Sequence, residues 1–162
     1  MDTRPAAPGD AGEIARIYNQ GIEDRIATFE TRPRSAAEVE AWFDARHPIV
    51  VVEEAGAVIA FASTSTYRPR DCYAGIAEFS VYVAREARGR GAGRLAMTAL
   101  IEAAERAGFW KLVSRIIVEN AASRALMASL GFREVGIYEK HARLSGVWRD
   151  TVIVERLIEA NL

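Results

Sequence analysis

Along the chain the apolar positions change period several times, and each change marks an element. Asp2 to Pro5 reads as a short first strand. Asp10 stands where a helix N-cap is needed, and Ile14, Ala15, Ile17 and Tyr18 follow at helical spacing until Gly21, which can end the helix. Gly21 to Pro33 has no clean period but carries Arg25, Thr28, Phe29 and Glu30, a composition suited to a loop that lines a pocket. Ser35-Ala36-Ala37-Glu38 is a capping box, in which hydroxyl and carboxylate each satisfy a free backbone N–H of the first turn. The helix it opens presents Val39, Trp42 and Phe43 on one face until His47-Pro48 breaks it.

The period then shifts to that of strands. Ile49 to Val52 is an unbroken β-branched run, Glu54-Ala55-Gly56 a turn, and Val58 to Thr66 an antiparallel partner. A polar connector, Tyr67-Arg68-Pro69-Arg70-Asp71-Cys72-Tyr73, leads to a strand from Glu78 to Val83. An alanine-rich helical pattern runs to about Ala107, with Gly108 as its stop, and Lys111 to Val118 reads as a further strand. Asn120 to Leu130 is a short helix closed by Gly131-Phe132. Two last strands, Glu134 to His141 and Trp148 to Leu157, meet across Ser145-Gly146. The order β-α-α-β-β-β-α-β-α-β-β predicts an α+β fold built on a mixed sheet.

Composition narrows the function. Half of the 162 residues are hydrophobic and no linker-like stretch divides them, so one domain over residues 1–162 is expected. With 21 basic and 22 acidic residues the formal charge is -1, which gives no global field for nucleic acid or an anionic membrane and points to a small partner. No apolar run approaches the roughly 18 residues of a membrane span, and Met1-Asp2-Thr3-Arg4 leads straight into polar sequence. Cys72 is the only cysteine, so neither an internal disulfide nor a zinc site is expected, and a cytoplasmic location is.

The chemistry concentrates in Arg88-Gly89-Arg90-Gly91-Ala92-Gly93-Arg94, where strand gives way to helix. Glycines leave the backbone N–H groups of the first helical turn unobstructed, the helix dipole favours an anion there, and three arginines can add charge-assisted hydrogen bonds. The glycine spacing is not that of the dinucleotide fingerprint, and no Gly-Lys-Ser/Thr makes it a P-loop. The same stretch also fits a plain glycine-rich turn opening a helix.

Read as R-x-x-G-x-G over Arg88, Gly91 and Gly93, and preceded by Phe79 to Val83, the loop resembles motif A of the GNAT superfamily of N-acetyltransferases. Asn120, Ser123, Leu126, Gly131 and Phe132 fall in a pattern similar to that superfamily's motif B. Ile17-Tyr18-Asn19, Thr28-Phe29-Glu30, Arg68-Pro69-Arg70-x-x-Tyr73, Glu78 to Val83, Lys140-His141 and Trp148-Arg149-Asp150 resemble the phosphinothricin and methionine sulfoximine N-acetyltransferases. Trp148 to Leu157 looks most like the arsinothricin branch. The resemblance implies a GNAT fold of about seven strands and about four helices, a homodimer, acetyl-CoA as co-substrate, and acetylation of the α-amine of a glutamate-like amino acid in a resistance or detoxification role.

Under that resemblance the roles distribute as follows. An ammonium must lose a proton before its nitrogen attacks a thioester, and Glu78 stands where the subfamily carries its base. An ion pair with an arginine, or plain solvation, is the competing reading of Glu78. Guanidinium recognition of the acidic substrate falls to Arg70 first and Arg68 second, with Phe29, Glu30, Tyr73 and His141 shaping the pocket. Phe29 also fits the core, and the arginines and His141 also fit plain surface. The strand Val81-Tyr82-Val83 is expected to pair with the strand-like pantetheine arm. Arg88, Gly89, Arg90, Gly91, Ala92, Gly93 and Arg94 are expected to hold the pyrophosphate. Asn120 and Ser123 are expected cofactor contacts, Asn120 also being a natural N-cap.

Met127 stands where motif B usually places Tyr or His to protonate the departing thiolate, and it donates no proton. Water, Tyr138 or His141 could take that role, or the thiolate leaves unprotonated. Two other functions stay open: acetylation of a protein N-terminus, and a non-catalytic acyl-CoA-binding domain, which Met127 favours and Glu78 and Arg70 oppose.

Overall fold

The computed structural model describes all 162 residues. Seven strands, β1 (Asp2–Pro5), β2 (Ile49–Glu54), β3 (Ala57–Thr66), β4 (Ile76–Val83), β5 (Lys111–Ile117), β6 (Arg133–Leu144) and β7 (Val147–Leu157), form one sheet in the order β1-β2-β3-β4-β5-β7-β6. Every neighbouring pair is antiparallel except β4 and β5. Four helices, α1 (Ala11–Asp24), α2 (Ala36–Glu40), α3 (Ala92–Arg106) and α4 (Ala121–Ser129), complete the mixed α+β arrangement that the periodicity predicts.

Side chains alternate across the sheet. Tyr82 of β4 stacks on Phe61 of β3 with centroids 5.5 Å apart and meets Tyr18 of α1 edge-on at 5.1 Å, so α1 covers that face. Val83 points the other way, toward the start of α3. Ala96, Met97, Leu100 and Ala104 form the buried stripe of α3. A contiguous core of 31 buried residues, including Val51, Val52, Phe61, Phe79 and Leu112, joins the sheet to its helices.

Two expectations change. Gly21 does not end α1, which continues to Asp24 and stops at Arg25 in the left-handed region with φ 56°. The glycine serves a close approach instead, because a Cβ there would lie 2.6 Å from Cε1 of Tyr82. The helix expected to carry Trp42 and Phe43 is only Ala36–Glu40 long, although its capping box forms between Ser35 and Glu38. The Asp44 carboxylate accepts the backbone N–H groups of Arg46 at 2.8 Å and His47 at 2.6 Å, turning the chain toward β2. Trp42 and Phe43 still pack against the core. No helix is long and apolar enough to cross a membrane.

Candidate active site

The site begins where β4 and β5 part. Their parallel pairing covers only Ile76 with Lys111, Ala77 with Leu112 and Glu78 with Val113. Ser114 Oγ then donates to the Phe79 carbonyl at 2.8 Å, and beyond this point the strands diverge into a fork. Ala84 N–H donates to Ile59 of β3 at 2.8 Å. By the alternation of strand backbone, Tyr82 also points its peptide groups at β3, whereas those of Val81 and Val83 face the fork. The Val83 carbonyl accepts from Arg88 Nε at 3.3 Å, which leaves Val81 with a free donor and acceptor for an extended ligand.

A groove of about 560 Å³ runs from this fork to the start of α3. Val81, Tyr82, Val83, Arg88, Gly89, Gly91, Ala92, Gly93, Arg94, Asn120 and Ser123 line it. Gly89 and Gly91 adopt positive φ, 74° and 89°, and a Cβ on either would meet no atom within 4 Å, so both backbones are bare toward open space. Gly91 is the N-cap of α3. Gly93 has another job: its Cβ would stand 3.3 Å from Leu126 and 3.4 Å from Val83, so it lets helix and strand approach. Asn120 caps α4, its side chain accepting the Ser123 N–H at 3.2 Å.

The three arginines separate. Arg88 pairs with Asp24 at 2.6 Å, and Asp24 also takes Arg85 at 2.8 Å. Partial burial pushes the Asp24 carboxyl up, but the two guanidiniums outweigh it and hold the pKa below the usual value. Arg94 lines the groove and donates to Ser129 Oγ at 2.7 Å. Arg90, expected to contact a pyrophosphate, turns away to Glu54, its Nη2 donating to Oε1 at 2.7 Å and Oε2 at 2.8 Å. Glu54 ends β2 just before its turn into β3, a partner that local sequence cannot reveal.

On the other side of the fork lies a cavity of about 480 Å³ whose wall includes Phe29, Glu30, Glu78, Tyr82, Arg115, His141 and Thr151. A small opening of about 60 Å³, lined among others by Ser80, Val81, Ser114, Arg115, Asn120 and Ser123, lies between groove and cavity and shares residues with both. Glu78 meets Arg115 Nη2 at 3.2 Å. Arg115 Nη1 reaches Nε2 of His141 at 3.4 Å. A bulge in β6 between Tyr138 and Ala142, with Lys140 at φ 47° and its N–H on Asp150 at 2.7 Å, turns His141 toward the cavity. Burial drives the Tyr82 phenol well above its ordinary pKa, so at neutral pH it is a neutral hydrogen-bond donor. Glu30 is already paired with Arg34 at 2.9 Å. A separate cavity of about 340 Å³, walled by Tyr18, Trp42 and Phe61, has Asp44 as its one carboxylate, and His47 engages it at 2.8 Å.

Arg68, Arg70 and Tyr73 are not brought to this cavity. Their connector closes into a tight turn outside the sheet, with Arg70 N–H on the Arg68 carbonyl at 2.9 Å. Arg68 lies over the Tyr67 ring at 5.2 Å, Tyr73 packs edge-on against Tyr67 at 5.9 Å, and the side chain of Arg70 is exposed. The guanidinium facing Glu78 is that of Arg115, which is not among the residues the sequence motifs single out. The signal was present, since Ser114-Arg115 stands between the apolar pairs Leu112-Val113 and Ile116-Ile117. Met127 is 1% exposed and belongs to the core.

The Acetyltransferase (GNAT) family matches residues 14–132. A protein of Pseudomonas paraeruginosa named L-methionine sulfoximine/L-methionine sulfone acetyltransferase is 36% identical over 157 residues, covering 94% of this chain and 91% of its own. A GNAT superfamily phosphinothricin acetyltransferase from Sinorhizobium meliloti, solved in complex with acetyl-CoA, superposes with a TM-score of 0.90 at 32% identity, over 96% of this chain and 87% of that one. A ribosomal-protein-alanine N-acetyltransferase from Brucella melitensis superposes with a TM-score of 0.92 at 31% identity, over 98% and 100% of the two chains.

Proposed function

The chain belongs to the GNAT family of acetyltransferases, and from that premise we propose that it moves the acetyl group of acetyl-CoA to the α-amine of a small glutamate-like amino acid. The carrying observation is the fork between β4 and β5, which sets the bare-backbone groove at the start of α3 beside a cavity holding Glu78 and Arg115. The names of similar proteins, methionine sulfoximine and phosphinothricin acetyltransferases, support the substrate class. A role in resistance is part of the same reading.

Acetyl-CoA supplies an activated thioester. In this reading the N–H groups at Gly89, Gly91 and Ala92, with Arg88 and Arg94, take the pyrophosphate, and Asn120 and Ser123 contact the arm of the cofactor. Val81 N–H and C=O pair with the amide-bearing arm, and a fork N–H is placed to stabilise the oxyanion. Glu78 accepts the ammonium proton, the freed amine bonds to the acetyl carbon, and as the carbon–sulfur bond breaks the nitrogen gives up its second proton to water. With Met127 in the core, water or His141 returns a proton to sulfur. Phe29, Glu30 and His141 wall the amino-acid cavity.

Thiol release from acetyl-CoA with methionine sulfone, methionine sulfoximine, phosphinothricin, arsinothricin and a short peptide tests this reading. The expected order places the amino acids well above the peptide. No release with any amino acid would contradict it.

We also propose a single domain over residues 1–162, in a cytoplasmic homodimer. Val135, Ile137, Tyr138, Val147 and Trp148 are exposed on the hairpin of β6 and β7, and β6 is a long edge strand of the kind that a second copy covers. Sedimentation velocity should give a species of twice the chain mass, and a monomer at high protein concentration would remove the dimer.

A further inference from the structure

Resting on the reading just given, we propose that Arg115 binds the substrate's α-carboxylate and that its ion pair with Glu78 is a place-holder for the two ends of an amino-acid zwitterion. The two side chains stand two residues apart in register across the fork, Glu78 opposite Val113 and Arg115 two residues further on. Their tips are 3.2 Å apart, with 50% of the Arg115 side chain and 32% of the Glu78 side chain exposed. A pair so exposed contributes little to stability and opens at small cost.

That spacing selects the ligand. Groups bound by two tips so close together must themselves be neighbours in the substrate. An α-ammonium and an α-carboxylate, attached to the same carbon, meet that condition; the side-chain acid of a glutamate analogue, several carbons away, does not. An incoming amino acid therefore replaces one internal ion pair with two, ammonium on Glu78 and carboxylate on the planar fork of Arg115. The exchange frees Glu78 from the guanidinium just where it must accept a proton. His141, 3.4 Å from Arg115 Nη1, steadies the fork. The cavity also holds an unused polar group: Thr151 is 2% exposed and its hydroxyl has no partner. A hydroxyl buried without a partner at a cavity wall is a natural contact for a polar substrate.

The consequence is a specificity rule. The enzyme requires a free α-carboxylate, so α-carboxamides and peptide N-termini, which have the amine but not the acid, are poor acceptors.

The test is a cycle between one side chain and one substrate group. Wild type and Arg115→Ala are each assayed with L-methionine sulfone and with its α-carboxamide, by thiol release at fixed acetyl-CoA. Loss of a charge-assisted contact predicts a fall of about 10²-fold in kcat/KM for the acid, mostly in KM, and less than about 5-fold for the carboxamide. Acetyl-CoA affinity by calorimetry is expected to be unchanged, which shows that the variant is folded. Equal losses on both substrates would overturn the proposal and make Arg115 a positioning residue for Glu78; no loss on either would make it a spectator. If wild type acetylates none of the panel's amino acids, the amino-acid reading itself fails, an outcome distinct from the other two.

Discussion

Glu78→Gln is expected to lower kcat with the best amino-acid acceptor by about 10²-fold or more, with acetyl-CoA affinity unchanged. The amide keeps the size and a hydrogen-bonding oxygen but is no base at physiological pH. The shape of the wild-type pH profile of kcat/KM should therefore depend on Glu78. The variant should keep only a slow rate that rises with pH as free amine accumulates. Because Glu78 is part-exposed and its partner Arg115 is also solvated, the substitution leaves no buried charge unpaired and the fold should survive it. Near-normal turnover would mean that water alone removes the proton. Met127 makes an instructive control. It is buried in the core, so Met127→Leu, a nearly volume-conserving change, should leave the shape of the pH profile intact.

Gly91→Val is expected to weaken acetyl-CoA binding by about 10²-fold or more, because a branched side chain would project into the open space toward which the first-turn N–H groups point. Strain accompanies blockage here, since φ is 89° and a β-branched residue disfavours that region by about 1 to 3 kcal/mol. Gly91→Asn separates the two effects: asparagine tolerates positive φ, so stability should be nearly restored while binding stays weak. Isothermal titration with acetyl-CoA, beside thermal unfolding, reads both. Unchanged affinity in the valine variant would remove the cradle. Gly93 would be the poorer choice, because a Cβ there also presses on Leu126 and Val83 and mixes packing with binding.

The elements were legible because their signals are local. The β-branched run of β2, the capping box of α2, the glycines after α3 and α4 and the turn at Ser145-Gly146 each act through neighbours in sequence, and each stands where the pattern put it. The glycine loop was legible for the same reason, since bare N–H groups at a helix start need nothing distant. What escaped depends on pairing across long separations. Arg90 reads as a pyrophosphate ligand until the β2–β3 turn brings Glu54 to it. Arg68 and Arg70 read as substrate arginines until their connector folds outside the sheet. Arg115 looks like a stray charge in an apolar strand until parallel pairing sets it beside Glu78, 37 residues earlier. Gly21 reads as punctuation, whereas the aromatic ring that needs its missing Cβ lies on β4.

The proposed acceptor is the α-amine of a small glutamate-like amino acid rather than a protein N-terminus. The most direct measurement is a competition. The protein is mixed with acetyl-CoA and equal concentrations of L-methionine sulfone and an alanine-initiated peptide, and the products are read by mass spectrometry, with the acetylated nitrogen placed by fragmentation. The account predicts acetyl on the α-nitrogen of the sulfone, with the peptide left almost untouched. Preferential acetylation of the peptide would contradict it.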